Sequence, residues 1–332
     1  MARIFAPLPC LSEHLSRSEI SKIKDKHPID TVSIGETLHG DSVIDVKLCR
    51  TSKGRHVIVK AGTTSRHEAN FMSILKHAGL TFTPDVYGYY RVIVYNVLVM
   101  EYIPGMDLTE RVWKIWSKAK RQKFKLQLAD ALIQLRKVSS KQIETPYGIP
   151  LWNFYGSANE HTPSFGPYKT EEEYNTAKLD ILSMSEEPES RIIGEQLLAA
   201  HYENKSKFSS ETTADEDTTF VPRETTFVAT HTDLFEHNIR VDWKGNLKGI
   251  IDFGKSGFYP DWAEYAFSQG MGFDDWWKDA LNDVMRIVCP QYTRDDPIIK
   301  FEGVLLAITD PFSAYWKKKN LGTVNHGKCN TM

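Results

Sequence analysis

Three oxygen-bearing side chains, Asp233, Asn238 and Asp252, constrain this chain more than any other feature of its sequence. A strand-like run over residues 226–230 leads into the loop His231-Thr-Asp233-Leu-Phe-Glu-His-Asn238. Ile239-Arg-Val241, a turn at Lys244-Gly-Asn246 and Leu247-Lys-Gly-Ile-Ile-Asp252 then predict a hairpin with a carboxylate at its far end. Two strands joined by a tight turn run side by side, so Asp252 returns near Asn238. Two carboxylates and one amide oxygen gather around a single point. Hard oxygen donors, few and open to water, suit Mg²⁺ bridging a polyphosphate rather than a closed zinc site. Phosphoryl transfer needs this equipment: one carboxylate for the acceptor hydroxyl, with a carboxylate and an Asn to hold the metal.

The chain around this constellation has 332 residues, enough for two domains or one domain with two lobes. Residues 1–30 read as a polar helical lead-in. From Val32 the period changes. Thr31-Val-Ser-Ile34 and Val43-Ile-Asp-Val46-Lys-Leu48 look like strands, with Gly35 to Ser42 between them. A hairpin signal follows: residues 46–50, Ser52-Lys-Gly54, then His56-Val-Ile-Val-Lys60. Residues 65–77 suit a helix closed by Gly79. Residues 86–90 and 97–101 are again strand-like. The segment 31–103 is therefore a small α+β lobe. After Pro104-Gly105 the composition turns helical, and Phe124, Leu128, Ala131, Leu132, Leu135 and Val138 form one apolar stripe, most simply core. Residues 144–170 predict a long loop, and the polar segment 204–224 predicts a mobile surface insertion. Helices resume at Trp262, so residues 104–332 form a larger helical lobe.

The pattern His231-x-Asp233-x-x-x-x-Asn238, followed by Ile250-Ile-Asp252, resembles the aminoglycoside phosphotransferase and choline kinase group of small-molecule kinases. Gly257-Phe-Tyr-Pro-Asp-Trp-Ala-Glu264 resembles the continuation seen in the fungal branch of that group. The likeness spans roughly residues 30 to 270 and is strongest around 231–264. It implies a bilobal, protein-kinase-like α+β fold: a small antiparallel β-sheet lobe plus a larger, mainly helical lobe. It also implies that Asp233 is the catalytic base, that Asn238 and Asp252 are magnesium ligands, and that His231 braces the loop through hydrogen bonds. Phe235, His237 and Thr232 depart from the commoner family loop, and Thr232 stands where Gly is frequent. None of the three removes a catalytic atom.

The likeness further implies that the small lobe holds ATP. Lys60 ends a strand, and an inward Lys there neutralises the α- and β-phosphates in kinase-like folds. Alone, it would read as an exposed Lys closing a hairpin. Its implied partner is Glu68. Ser65-Arg-His-Glu68 is equally a capping box with Glu68 at its third helical position, and both readings fit the same spacing. Gly35, Gly40 and Ser42 sit where a phosphate-covering loop belongs, with no G-x-G-x-x-G. Met100-Glu101-Tyr102-Ile103-Pro104 matches the lobe connector, whose backbone at Glu101 and Ile103 would meet adenine.

Asp252-Phe-Gly254 also spells the protein-kinase metal motif. Three features oppose a Ser/Thr protein kinase: Thr232 where Arg is usual, no glycine-loop fingerprint, and no room for a long activation segment before Gly257. A non-catalytic nucleotide-binding protein with this fold is the remaining alternative. For the acceptor, Phe273-Asp-Asp-Trp-Trp277 and Trp152-Asn-Phe-Tyr155 could serve, with Asp274 or Asp275 facing a cationic amine. An acidic first turn on a helix whose Trp residues are core explains the first segment as well.

Lys plus Arg is 41 and Asp plus Glu is 43, so the formal charge is −2 and no global field calls for nucleic acid or an anionic membrane. The expected partner is a small-molecule hydroxyl acceptor. The expected setting is the cytoplasm: the N-terminus is a poor signal peptide, and Cys10, Cys49, Cys289 and Cys329 form no CxxC pair. Cys329-Asn-Thr-Met332 outlines a prenylation box whose polar middle argues against lipidation.

Overall fold

His56-Val-Ile-Val-Lys60 alternates side chains to two faces, and it becomes the central strand of the small lobe. The computed structural model describes residues 37–40, 44–50, 55–62, 65–92, 95–148, 150–151, 165–183, 188–211, 226–270 and 274–309. Strands β1 (Thr37–Gly40), β2 (Ile44–Arg50), β3 (His56–Gly62), β4 (Val86–Val92) and β5 (Tyr95–Glu101) form an antiparallel sheet in the order β1-β2-β3-β5-β4. In that register Lys60 lies between Val46 and Leu98.

Helix α1 (Ser65–His77) packs on this sheet and has the bounds the sequence predicts. Gly79 ends it with φ +89°, a conformation open to glycine, and the Gly79 and Leu80 N–H groups satisfy the carbonyls of Lys76 and Leu75. Phe71, Met72 and Leu75 bury the inner face of α1.

The helical lobe starts with α2 (Glu110–Ile115) and α3 (Lys118–Leu135). The single helical stretch expected over 108–138 is divided at Trp116-Ser117. The Thr109 and Ser117 side chains each accept an N–H from the first turn they cap, so two helix starts are written into the sequence. Phe124, Leu128, Ala131, Leu132 and Leu135 are buried, as a core stripe requires. Helices α4 (Glu171–Ser183), α5 (Pro188–Glu211), α6 (Ala263–Gly270), α7 (Asp275–Val288) and α8 (Pro297–Thr309) complete the lobe.

Two small sheets carry the informative loop. One orders β10 (Leu247–Ile250), β9 (Ile239–Val241) and β6 (Met106–Asp107). The other orders β11 (Gly257–Tyr259), β8 (Phe227–Thr230) and β7 (Ser139–Ser140).

Three expectations are refined. Residues 37–40 are strand rather than part of a Gly35–Ser42 turn, because Gly40 pairs with Asp45 across the β1–β2 ladder. Residues 204–211, the start of the segment expected as a mobile surface insertion, continue α5 as helix. Part of the 144–170 loop is pinned by bridges between Ile143 and Tyr168 and between Leu151 and Phe165. The 1–30 lead-in, the strand expected at 31–34, Ser42, residues 152–155, 212–224 and 271–273, and Cys329 lie outside the described residues. No described helix is long and apolar enough to cross a membrane.

Candidate active site

The β9–β10 hairpin does return the chain: Ile239 pairs with Ile250, and the Ile251 N–H donates to the Asn238 carbonyl at 2.9 Å. Asp252 then leaves the strand in a left-handed conformation, φ 64° and ψ 67°, which Asp tolerates better than most residues. Its side chain accepts from the Gly254 N–H and starts the short 3₁₀ turn Phe253–Lys255. Phe253 is fully buried between Phe71 of α1 and His231, with ring centroids 6.1 and 4.7 Å away. That apolar anchor fixes the turn against both lobes.

Lys60 reaches into this junction from β3. Its Nζ lies 2.7 Å from Asp252 Oδ1 and 3.0 Å from Glu68 Oε2. Lys60 and Glu68 are buried, while the Asp252 side chain keeps 45% of its surface. Burial works against the Lys60 charge, but Glu68 and Asp252 together outweigh it and raise the ammonium pKa above its ordinary value. The two carboxylates are not equivalent. Burial pushes Glu68 up to about 7 against the pull of Lys60. Burial also opposes ionisation of Asp252, yet the Lys60 charge and hydrogen bond win and hold it below the usual carboxylate range. Asp252 is therefore the firmer anion. His67, next to Glu68, is hydrogen-bonded through Nε2 to the Gly254 carbonyl, a second tie between α1 and the turn.

On the helical-lobe side, His231 Nε2 donates to the Ile251 carbonyl at 3.0 Å, and its Nδ1 accepts from the Asp233 N–H at 3.2 Å. Burial lowers the imidazole pKa, so the neutral ring suits both bonds. One side chain thus joins the residue before Asp252 to the backbone of Asp233. The Asn238 amide nitrogen donates to the Asp233 carbonyl at 2.8 Å, which leaves its oxygen for another partner. The structure therefore brings Lys60, Glu68, Asp252, His231, Asp233 and Asn238 together in one place.

The connector residues behave differently. The Glu101 N–H is committed to the Asp85 carbonyl at 2.8 Å, and its carboxylate accepts the Asp85 N–H at 3.1 Å. Ile103 is buried against Gly249, where a Cβ would stand 2.4 Å from the Ile103 Cδ1. A Cβ there would also stand 2.8 Å from the Phe82 carbonyl oxygen, a backbone atom that a rotamer change cannot relieve. Gly40 lies on the outer strand of the sheet. In the Phe273–Trp277 segment, Trp277 is core: it is fully buried, and its indole N–H donates to the Leu234 carbonyl at 2.7 Å. Asp274 and Asp275 are exposed.

Sequence reasoning missed two residues. Glu264, on α6, is buried and accepts the N–H of His231 at 2.5 Å and of Thr232 at 3.0 Å. Burial pushes its carboxyl up to about 7 despite those bonds. Lys255 ends the 3₁₀ turn with Nζ 3.1 Å from Asp233 Oδ1, and its carbonyl accepts from the Thr232 hydroxyl at 3.0 Å. Glu264 closes the Gly257–Glu264 run that carried the resemblance, so a signal existed. Lys255 had none, because only the turn geometry aims it back at Asp233.

The model of the phosphotransferase enzyme family matches residues 45–297, more than half of the chain. No curated protein matches it. Among solved structures, the ternary complex of streptomycin, ATP and APH(2″)-IIa is similar at 14% identity over 92% of both chains, with a TM-score of 0.50. The macrolide 2′-phosphotransferase MphH from Brachybacterium faecium, as apoenzyme, is similar at 15% identity over 93% of both chains, with a TM-score of 0.49. The first likeness shows the fold: a bilobal, kinase-like architecture.

Proposed function

Because the chain belongs to the phosphotransferase enzyme family, we propose that it moves the γ-phosphoryl group of Mg·ATP to a hydroxyl of a small molecule. The observation that carries this reading is the shared junction. Lys60 on the sheet and Asp252 on the hairpin meet at 2.7 Å, and His231 ties the Asp252 strand to Asp233.

Each residue then has a part. Asp233 accepts the proton of the acceptor hydroxyl and orients it. Lys60, held charged between two carboxylates, faces the α- and β-phosphates. Asp252 and Asn238 fit a magnesium ion by the chemistry of their donors. Lys60 and the Gly254 N–H engage one Asp252 oxygen and leave the other, and Asn238 keeps its amide oxygen. A bound magnesium ion would supply charge neutralisation to the polyphosphate. His231 and Asn238 hydrogen-bond the Asp233 backbone and Glu264 holds the two residues before it, so the base is positioned before substrate arrives. Adenine would lie along the connector near Glu101 and Ile103. The small lobe, about 31–103, would clamp the nucleotide, and the rest of the chain would hold the acceptor.

A small acceptor is favoured over a protein by the stretch after Asp252. The turn Phe253–Lys255 passes directly into β11, which pairs with β8, and α6 starts at Ala263. No protein-binding segment intervenes. The finer likeness, to the choline kinase-like and fungal members, remains part of this proposal, as does a cytoplasmic setting with neither nucleic acid nor membrane as partner. The test is ADP release with Mg·ATP across a panel of hydroxylated amines, amino sugars and sugars. Acceptor-dependent release supports the reading, and a folded protein that binds Mg·ATP but shows no release with any acceptor counts against transfer.

A further inference from the structure

We infer that Lys255 is a second phosphate-facing cation, one that contacts the transferred γ-phosphoryl group. The inference rests on the nucleotide site proposed above and adds a residue to it. Lys60 is already committed elsewhere, its ammonium shared between Glu68 and Asp252.

Lys255 is placed by its backbone rather than by chance of a flexible chain. Its carbonyl accepts the Thr232 hydroxyl at 3.0 Å, the Phe253 carbonyl accepts the Ser256 N–H at 3.2 Å, and Phe253 anchors the turn. From there Nζ reaches Asp233 Oδ1 at 3.1 Å. The Lys255 side chain keeps 34% of its surface and Asp233 keeps 11%, so the ammonium is reachable from solvent while the carboxylate is largely covered. This part-buried ion pair joins the turn to the loop that carries Asp233. Its location is the informative part.

An acceptor hydroxyl on Asp233 must have the γ-phosphorus roughly 3–3.5 Å from its oxygen. A cation 3.1 Å from Asp233 Oδ1 is then within reach of an equatorial phosphoryl oxygen. In the transfer the acceptor oxygen bonds to the γ-phosphorus and its proton passes to Asp233. The bond from that phosphorus to the β–γ bridging oxygen breaks, and ADP leaves with the electron pair. Charge spreads over the three equatorial oxygens on the way, where Lys255 opposes it.

The experiment compares Mg·AMP-PNP with Mg·ADP, which differ in the third phosphate, by calorimetry on the full chain. Wild type, Lys255→Met and Lys255→Arg are measured, with folding checked by thermal melts. Lys255→Met should weaken Mg·AMP-PNP about tenfold or more while leaving Mg·ADP near wild type, and Lys255→Arg should restore most of the difference. The same selective loss is expected when Lys255→Met is added to Asp233→Asn. Equal loss for both nucleotides, or none, overturns the assignment. So does a loss confined to the Asp233 background, which would mean that Lys255 only screens the base. Wild type that binds neither nucleotide overturns the nucleotide site itself, a result distinct from a Lys255-specific failure.

Discussion

The backbone N–H of Thr232 lies 3.0 Å from Oε1 of Glu264, across 32 residues of chain. The other oxygen of that carboxylate takes the N–H of His231. A buried acid on α6 thereby holds the two residues that precede Asp233.

That acid makes stability depend on pH. The Glu264 pKa is raised from 4.5 to about 7 by burial. A group with a raised folded pKa adds stability that is full below the unfolded pKa and is lost as pH rises through the folded one. Glu264 thus removes roughly 3 kcal/mol between pH 4.5 and 7. Urea melts from pH 4.5 to 8 should show a flatter profile for Glu264→Gln than for wild type. Parallel profiles would mean that Glu264 does not titrate in this window.

Thr232 sits at φ +67°, a strained conformation for a β-branched residue. Its hydroxyl bond to Lys255 offsets part of that strain. Thr232→Gly loses the bond and the strain together, so its stability should stay within about 1 kcal/mol of wild type. Thr232→Val keeps the strain and loses the bond, and should be less stable by about 1–2 kcal/mol. Equal melting of the two variants would contradict this.

Much of this site was legible in the sequence, and the reason is local. The 65–77 helix carries its own start signal and its own closing glycine. The loop and hairpin from His231 to Asp252 are short enough for spacing alone to bring the ends together. The division at Trp116-Ser117 lies before the apolar stripe, which begins at Phe124 and so does not record it; the caps Thr109 and Ser117 are its sequence signal. The remaining misses are tertiary. Lys255 meets Asp233 across 22 residues and Glu264 meets His231 across 33, and no periodicity records such contacts. Residues 204–211 are polar, yet polarity separates exposed from buried rather than helix from loop.

Away from the cleft, Lys178 and Glu302 form a fully buried pair at 2.7 Å, with the ammonium over the rings of Tyr174 and Trp262. Glu302→Ala strands that cation and should cost about 3–5 kcal/mol. Lys178→Met with Glu302→Leu removes both charges and should recover most of the loss. A double variant no more stable than Glu302→Ala in denaturant melts would refute this account of the pair.

Asp233→Asn should lower turnover by about 10²–10⁴-fold, because it removes the proposed base while leaving Lys60, Asn238 and Asp252 intact. Mg·ATP affinity should stay near wild type. Turnover near wild type would remove Asp233 from the chemistry.

The most direct test of the nucleotide site is calorimetric titration of ATP, with and without Mg²⁺, into wild type and Asp252→Ala. The geometry around Lys60 and Asp252 predicts binding that requires Mg²⁺ and weakens at least about tenfold in the variant. No binding by folded wild type, or equal Mg²⁺-dependent affinity in both proteins, would contradict it.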